Sequence, residues 1–316
     1  RDLVVTALKH RGLSAEVGPL VDAHGAGRRR ATLHVRKMAD GIIAGFNAAR
    51  SHDVHDIDVC PILVPALAAA PAIAREIGAI VGDCDVMFTA CDNGIDVNIE
   101  AKRKLSPLVL APLAEKTGLL RLSVSGESVV TRAKPFIAMD RAQVTPPPGS
   151  FLQATRMGEE TLAALVLAAM GKTKHCLDLF CGVGPFALRI AEHAAVHAAD
   201  SDAGALAALD AAARHAKGLK PIRTEKRDLF REPFTLAEFR PYDAVVFDPP
   251  RAGAEAQSRH LAKSKIPLIV AVACDPASFA RDASILIAGG YRLEKVTPVD
   301  QFAFTAHVEM VGVFRK

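Results

Sequence analysis

Cys274 has a reactive side chain at a position where parallel sheets bind ligands. It follows the apolar residues 266–273, and Asp275 and Pro276 directly after it are typical of a helix start. This order predicts a buried parallel strand that ends at the thiol, at the sheet edge where open α/β folds bind ligands. We expect the helix N-terminus to lower the pKa of the thiol, because it favours the anion. A free cysteine is more often buried and structural, so a catalytic role requires further groups nearby.

A glycine-rich loop between a predicted strand and helix indicates a nucleoside cofactor. Residues 178–187 read Asp-Leu-Phe-Cys-Gly-Val-Gly-Pro-Phe-Ala, and Gly182 and Gly184 let backbone amides approach a ligand at a helix N-terminus. Asp200 ends the next predicted strand, where a partner for ribose hydroxyls belongs. These features fit a nicotinamide dinucleotide and S-adenosylmethionine equally well, and a tight turn without a ligand has the same spacing.

Asp248 and the two prolines after it decide between these cofactors. The segment Asp-Pro-Pro-Arg-Ala-Gly, residues 248–253, follows a predicted strand over residues 244–247. The prolines stiffen the loop and present the carboxylate in the crevice, where it can hydrogen-bond a planar heterocycle or a cofactor amine. A capping Asp in a Pro-rich loop is the plainer interpretation. Together with the glycine loop, however, the segment resembles the S-adenosylmethionine-dependent methyltransferases.

Glu309 is the candidate for a general base. It stands in an apolar strand predicted over residues 306–314, on the same face as His307. A glutamate so placed can accept a proton from a substrate, or it can be an exposed carboxylate of an edge strand. His307 is expected to be a hydrogen-bonded structural residue rather than a ligand.

The elements that must position these residues belong to the second of two predicted domains. The Pro-Pro-Pro-Gly segment at residues 146–149 marks the junction. Residues 1–145 predict an α+β domain with much antiparallel pairing, including a hairpin around Asp92-Asn93-Gly94. Residues 146–316 alternate strands and helices, which predicts a mostly parallel, doubly wound α/β sheet closed by antiparallel C-terminal strands.

Composition limits the possible partners and location. The 316 residues carry a net charge of +4 and include no apolar stretch of membrane-spanning length. The six cysteines lack disulfide or zinc spacing, which favours a reducing cytoplasm. Basic clusters at residues 28–30 and 102–104 can contact RNA phosphates or be solvated surface. The chain begins at Arg1 inside a predicted helix, so we expect a fragment of a longer protein.

These motifs together resemble the RNA uracil-C5 methyltransferases, which make 5-methyluridine in ribosomal or transfer RNA. The resemblance is carried, in order, by Phe151-Leu-Gln153, residues 178–184, residues 248–253, residues 273–276 with residues 280–282, and His307-Val-Glu309. It implies a Rossmann-like S-adenosylmethionine methyltransferase domain in which Cys274 adds to uracil C6 and Glu309 removes the C5 proton. It also implies a set of cofactor-binding side chains: Gln153, Phe180, Asp200, Asp228 and Asp248.

The resemblance also extends to the first domain. Residues 45–63 resemble the family's central domain, and Cys60, in the segment Cys-Pro-Ile-Leu, resembles one ligand of a 4Fe–4S cluster in some members. Those members act mainly on large-subunit ribosomal RNA, and their other three cysteine ligands lie upstream. The resemblance therefore implies a cluster only when upstream cysteines are present. It implies RNA as the partner, ribosomal rather than transfer RNA, with no membrane and no obligate protein partner.

Three other functions stay open from the sequence. A transfer RNA uridine-C5 methyltransferase would use the same groups. An RNA cytosine-C5 methyltransferase also uses a cysteine at this strand end, but normally has a second cysteine where Arg251 stands. A non-catalytic RNA-binding protein with a retained cofactor fold belongs to a different class, and loss of Cys274 would leave its function intact.

Overall fold

The computed structural model describes residues 1–48, 51–102 and 105–316. The chain divides into two compact units. The smaller unit comprises Ala26–Ala138 and Thr145–Arg156, and the larger unit comprises Arg1–Gly25, Met139–Val144 and Met157–Lys316. Of the two predicted basic clusters, residues 28–30 lie in the smaller unit, whereas Arg103 and Lys104 of the second lie outside the described residues.

The helices and strands alternate much as the sequence predicts. The helices are α1 (Asp2–His10), α2 (Ala70–Val81), α3 (Pro107–Thr117), α4 (Arg156–Met170), α5 (Ala187–Ile190), α6 (Ala203–His215), α7 (Glu255–Ala262) and α8 (Pro276–Ala288), with a 3₁₀ turn at Pro65–Leu67. The strands are β1 (Val21–Asp22), β2 (Arg30–Met38), β3 (Gly41–Asn47), β4 (Val54–Asp56), β5 (Cys84–Cys91), β6 (Gly94–Glu100), β7 (Arg121–Val124), β8 (Glu127–Thr131), β9 (Ile137–Met139), β10 (Ala142–Val144), β11 (His175–Leu179), β12 (Ala195–Asp200), β13 (Ile222–Lys226), β14 (Ala244–Phe247), β15 (Leu268–Ala273), β16 (Arg292–Asp300) and β17 (Glu309–Arg315).

The smaller unit is built on a seven-stranded sheet of order β4-β3-β2-β5-β6-β7-β8. Its pairs are antiparallel except for β6 with β7, in keeping with the predicted α+β domain. The β5–β6 hairpin turns before Gly94, whose φ of +146° lies in a region that side-chain-bearing residues rarely adopt. Residues of α2 and α3 join Phe88 and Ile99 in one apolar core. The predicted hairpin around Asp92-Asn93-Gly94 is therefore confirmed.

The larger unit is built on an eight-stranded sheet of order β1-β16-β17-β15-β14-β11-β12-β13. Strands β13, β12, β11, β14 and β15 are parallel, and β17 then pairs antiparallel with both β15 and β16. All six residues of β15 are buried, as expected for a central strand covered on both faces. The predicted parallel sheet with closing antiparallel strands is confirmed.

Arg1–Gly25 belong to the larger unit, whereas the sequence predicts one domain over residues 1–145. Val4 and Leu8 of α1 are buried in the apolar core of the larger unit. Strand β1 extends the sheet by pairing in parallel with β16, Val21 opposite Val299. A sequence pattern shows that α1 has an apolar face but not which later element covers that face.

The parallel strands bring the predicted motifs to one edge of the sheet. The segments after β11, β12, β14 and β15 all leave the carboxyl ends of their strands, because these strands run in the same direction. The glycine loop, Asp200, Asp248 and Cys274 stand at these ends. Among the helices that the structure describes, none has both the length and the apolar character needed to cross a membrane.

Candidate active site

Strand β15 and helix α8 position Cys274 as the sequence predicts. The strand ends at Ala273 and the helix begins at Pro276, so Cys274 stands in the short connection between them. Asp275 caps the helix by accepting a hydrogen bond from the Ser278 backbone N–H at 2.8 Å. The thiol is half-buried and forms no disulfide. It is therefore fixed in place and still accessible at the edge of the sheet.

Strand β17 brings Glu309 opposite this thiol. The antiparallel register pairs Ala273 with Met310, so the next position along each strand places Cys274 against Glu309. The carboxyl group is only 3% exposed, and its Oε1 accepts a hydrogen bond from Gln301 Nε2 at 3.3 Å. Its Oε2 has no hydrogen-bond partner among the described residues. One oxygen is thus held in place and the other is free to accept a proton.

Asp248 is the second carboxyl group near the Cys274 thiol, beside Glu309. It directly follows β14, the strand next to β15, and removal from solvent raises the pKa of its carboxyl group to about 7. Burial and then the negative charge of Asp248 raise the pKa of Glu309 to about 8, while the Gln301 hydrogen bond lowers it. Both carboxyl groups therefore exchange protons near neutral pH, where a general base operates best.

The pKa of the Cys274 thiol moves opposite to the predicted direction. Burial, followed by the charges of Glu309 and Asp248, raises it to about 11, whereas Arg251 lowers it. The expected effect of the α8 N-terminus is outweighed, because two carboxyl groups from separate strands converge on the sulfur. The free protein therefore holds a thiol at neutral pH, and positive charge brought into the crevice would favour the thiolate.

The glycine loop after β11 has a backbone that few residue types adopt. Gly182 and Gly184 have φ angles of +52° and +89°, and Phe180 has a φ of +61°. A Cβ on Gly184 would lie 2.4 Å from Leu209 Cδ1, so the chain requires glycine there. The Gly182 N–H donates to Asp200 Oδ2 at 2.8 Å, which ties the loop to the end of β12.

Two aromatic rings and two carboxylates next to this loop suit a nucleoside. The Phe180 ring lies 5.5 Å from the ring of Phe230, which is 51% exposed. Asp228 follows β13 and accepts the Phe230 backbone N–H at 3.1 Å. Asp200 stands at the end of the neighbouring strand β12. Rings can stack on a purine, and carboxylates can accept from ribose hydroxyls and an exocyclic amine.

Buried Asp178 supports the same cofactor class. It is fully buried in β11, where the Ala187 backbone N–H acts on its carboxyl group but no described side chain pairs with it. Burial and then the charge of Asp248 raise its pKa well above the usual range. A buried carboxyl group without a side-chain partner is costly unless a ligand or proton satisfies it. The residues present therefore fit S-adenosylmethionine, whose amino group and ribose are donors.

Two predicted residues lie in the smaller unit. Gln153 is buried there, and its backbone carbonyl accepts a hydrogen bond from Arg29 Nε at 3.1 Å. Its contact with the cofactor stays a prediction. Cys60 is a half-buried free thiol. In the part of the chain that the structure describes, no group of three or more His, Cys, Asp or Glu side chains could hold a metal ion.

Several residues at the site were missed or misplaced from the sequence. No sequence motif marks Phe230 or Gln301, because the role of each depends on a contact that forms only in the folded chain, with Phe180 and Glu309 respectively. His307 was predicted to share a strand face with Glu309, but β17 begins only at Glu309. His307 instead lies in the preceding loop, where its Nδ1 is 3.1 Å from Arg251 Nη2.

The chain is similar to known RNA methyltransferases. Residues 146–316 match the tRNA (uracil-5-)-methyltransferase family. An uncharacterized RNA methyltransferase of Brucella suis is 50% identical over 328 residues, covering 100% of this chain and 78% of the relative. The 23S rRNA (uracil(1939)-C(5))-methyltransferase of Pseudomonas syringae pv. tomato is 32% identical, covering 94% of this chain and 69% of the relative. The structure of the Pyrococcus abyssi tRNA (uracil-54, C5)-methyltransferase with S-adenosyl-L-homocysteine aligns with a TM-score of 0.77 at 24% identity, covering 99% of this chain and 82% of that one.

Proposed function

This chain belongs to the tRNA (uracil-5-)-methyltransferase family, which methylates uracil C5 in RNA with S-adenosylmethionine, and on this premise we propose that Cys274 and Glu309 carry the reaction. The observation that supports the proposal is the β15–β17 register, in which Ala273 lies opposite Met310, together with the charge of Glu309 acting on the neighbouring Cys274 thiol. A nucleophile and a base on neighbouring strands match what C5 methylation needs. Uracil C5 is too weak a nucleophile to attack a methyl sulfonium without prior addition at C6.

The residues act in a fixed order. The Cys274 thiol releases its proton to solvent, and the resulting thiolate forms a bond from Sγ to uracil C6. The C5–C6 π electrons move to an enolate with carbanion character at C5. S-adenosylmethionine, when bound, would supply the electrophilic methyl group that C5 takes, with S-adenosyl-L-homocysteine as the leaving group. Glu309 then removes the C5 proton through Oε2, the oxygen that has no partner in the free protein. The C6–S bond breaks as the C5–C6 double bond returns, so the thiolate is regenerated and the proton leaves from Glu309.

The cofactor set proposed for this reaction lies along the carboxyl edge of the sheet. Asp200 would accept from the ribose hydroxyls, and Asp228 and the Phe180–Phe230 rings would hold the adenine. Asp248 would face the methionine end and the target base. Gln153 is retained in this set on the strength of the family motif alone.

Gln301 is expected to set the pH dependence of the base. Because its hydrogen bond lowers the pKa of Glu309, replacement by Met should raise that pKa further. Glu309 must be deprotonated to take the C5 proton after methyl transfer, so kcat should rise with pH through the pKa of Glu309, which is about 8 in the free protein. In Gln301→Met this limb should move to higher pH, with activity at pH 7 lower by roughly 3- to 10-fold, the effect of one lost hydrogen bond to a carboxylate. The pH profile of initial rates measures the shift.

A purely structural role for Gln301 would give another result. The variant should regain wild-type activity at a pH well above 8, because both proteins then carry an ionised Glu309. An activity that is lower by the same factor at every pH would contradict the positioning role.

We propose large-subunit ribosomal RNA as the substrate. The Pseudomonas syringae relative, named as a 23S rRNA enzyme, supports this choice through its identity over most of the chain. The alignment with the Pyrococcus abyssi transfer RNA enzyme supports the fold. Mass spectrometry of 5-methyluridine in RNA from a deletion strain tests the choice. Loss from 23S rRNA is expected, and loss from transfer RNA alone would overturn it. A cytoplasmic location, where both RNAs are made in bacteria, is part of the same proposal.

Cys60 is proposed as one ligand of a 4Fe–4S cluster whose other ligands lie outside this chain. We expect this chain alone to be colourless, since its described residues offer no metal-binding group. A longer natural protein carrying three further cysteines should be brown when purified without oxygen, and Cys60→Ser should bleach it. Colourless long protein, with iron below one atom per chain, would contradict the assignment.

A further inference from the structure

The loop between β16 and β17 presents an aromatic ring to solvent beside the active site. Phe304 is 95% exposed, and its φ of +61° lies in the left-handed region, which is rare for a bulky residue. Such backbone costs about 1–3 kcal/mol and is concentrated at ligand-binding and catalytic sites. A single exposed Phe is common on protein surfaces. An exposed Phe with an unfavourable backbone conformation at the edge of a site requires an explanation.

The residues around Phe304 hold it in this position. The Thr305 Oγ1 and backbone N–H both donate to the Phe302 carbonyl, at 3.0 and 3.2 Å. The His307 N–H in turn donates to Thr305 Oγ1 at 3.2 Å, and the His307 ring packs edge-on against the Phe302 ring at 5.9 Å. The Phe302 N–H donates to Asp300 Oδ1 at 3.0 Å, at the end of β16. The loop is therefore fixed at both ends and Phe304 stands at its turn.

The same loop connects to the reacting groups on two sides. It leads directly into Glu309, and His307 Nδ1 lies 3.1 Å from the guanidinium of Arg251. Arg251 is close enough to Cys274 for its charge to act on the thiol. An exposed ring and an exposed guanidinium thus lie at the border of the crevice that holds the nucleophile and the base. Aromatic rings together with cations are the combination by which proteins bind unpaired RNA.

We propose that Phe304 stacks on the nucleobase next to the target uridine, while Arg251 contacts the adjoining phosphate. This inference rests on the proposed function, because it assumes that a uridine enters the crevice. A uridine inside a helix cannot present C5 and C6 to side chains, so it must leave its stack, and a neighbouring base then loses a stacking partner. The Phe304 ring offers that base a replacement surface. The contact stabilises the opened RNA and tolerates any base, because every base has a π face.

Removal of the ring should weaken RNA use without affecting the cofactor. We expect Phe304→Ala to raise the KM for an unmodified 23S rRNA transcript by roughly 5- to 100-fold, the range for one lost base–aromatic stack. The KM for S-adenosylmethionine and kcat should change by less than about twofold, since the ring touches neither reacting group. Phe304→Tyr should restore the RNA KM. An unchanged RNA KM in Phe304→Ala would overturn the proposal.

Phe304→Asn separates RNA binding from folding. Asn tolerates the left-handed region better than Phe, so this variant should unfold at a temperature higher by about 2 °C. It should nevertheless bind RNA as weakly as Phe304→Ala. A residue that served only to stabilise the loop would show lower stability and no selective effect on RNA.

Tryptophan fluorescence tests the contact independently of methylation. The chain contains no Trp, so Phe304→Trp introduces a unique reporter. In a Cys274→Ser background its emission should fall when oligouridine is added, because stacking on a base quenches the indole. Lys172→Trp is the matched control, since residue 172 precedes β11 at the opposite edge of the sheet. Equal quenching of both reporters, or of neither, would contradict the proposal. If the wild type methylates no RNA, the proposed function fails, while the titration still decides whether Phe304 contacts RNA.

Discussion

Cys274→Ala is expected to abolish methyl transfer to RNA, with a fall of ~10⁴-fold or more, because no other described group could add to uracil C6. Cys274→Ser should be nearly as inactive, since a hydroxyl is a far weaker nucleophile than a thiolate. Transfer of a radiolabelled methyl group from S-adenosylmethionine to unmodified 23S rRNA measures the loss. The Kd for S-adenosyl-L-homocysteine should change by less than about twofold. Cys274 bonds to the substrate only during the reaction, so its removal leaves cofactor binding intact.

A second half-buried cysteine provides the control. Cys91 stands at the end of β5 in the smaller unit and is free, as Cys274 is. Cys91→Ala should keep wild-type activity, which would show that the loss follows from the position and not from removal of any thiol. Formation of 5-methyluridine by Cys274→Ala would refute the nucleophile assignment. It would also favour an RNA-binding protein whose activity came from a contaminant.

Glu309→Gln is expected to arrest the enzyme after methyl transfer. The amide keeps the shape of the side chain but cannot take the C5 proton, so elimination stops while Cys274 is still bonded to methylated uracil. Turnover should fall by roughly 10²- to 10⁴-fold, the usual contribution of a positioned base. An RNA–protein adduct that survives denaturation should accumulate and migrate as a shifted species on a gel.

The double variant distinguishes a covalent adduct from tight binding. Cys274→Ala combined with Glu309→Gln should give no shifted species, because the sulfur that forms the bond is missing. Normal turnover by Glu309→Gln would exclude Glu309 as the base. Slow turnover with no adduct would show that Glu309 acts before the addition to C6 and not after the methyl transfer.

The sequence was sufficient for most of the fold and for the principal reacting groups. An apolar run followed by Asp-Pro identifies a strand end, so the position of Cys274 follows from local rules. The glycine loop and Asp248 could be placed for the same reason, since each motif directly follows a strand. The roles of Cys274 and Glu309 themselves are not tested by the structure and stay proposals.

What the sequence could not supply depends on contacts between distant elements. The pKa of Cys274 is raised first by burial and then by the charges of Glu309 and Asp248, whereas the local helix alone predicts the opposite direction. Gln301 and Phe230 have meaning only through partners that the fold brings to them. The exposure of Phe304 is likewise a property of the loop geometry and not of its neighbours in sequence.

The pairing of β1 with β16 has a consequence for synthesis on the ribosome. Strand β1 is synthesised before the smaller unit, yet its partner β16 is synthesised only after that unit. Val4 and Leu8 are buried in the core of the folded larger unit, so their apolar surfaces stay exposed to solvent until that core forms. The smaller unit, whose residues are nearly contiguous, can fold meanwhile. We expect the nascent chain to bind chaperones through the α1 segment until β16 has been synthesised.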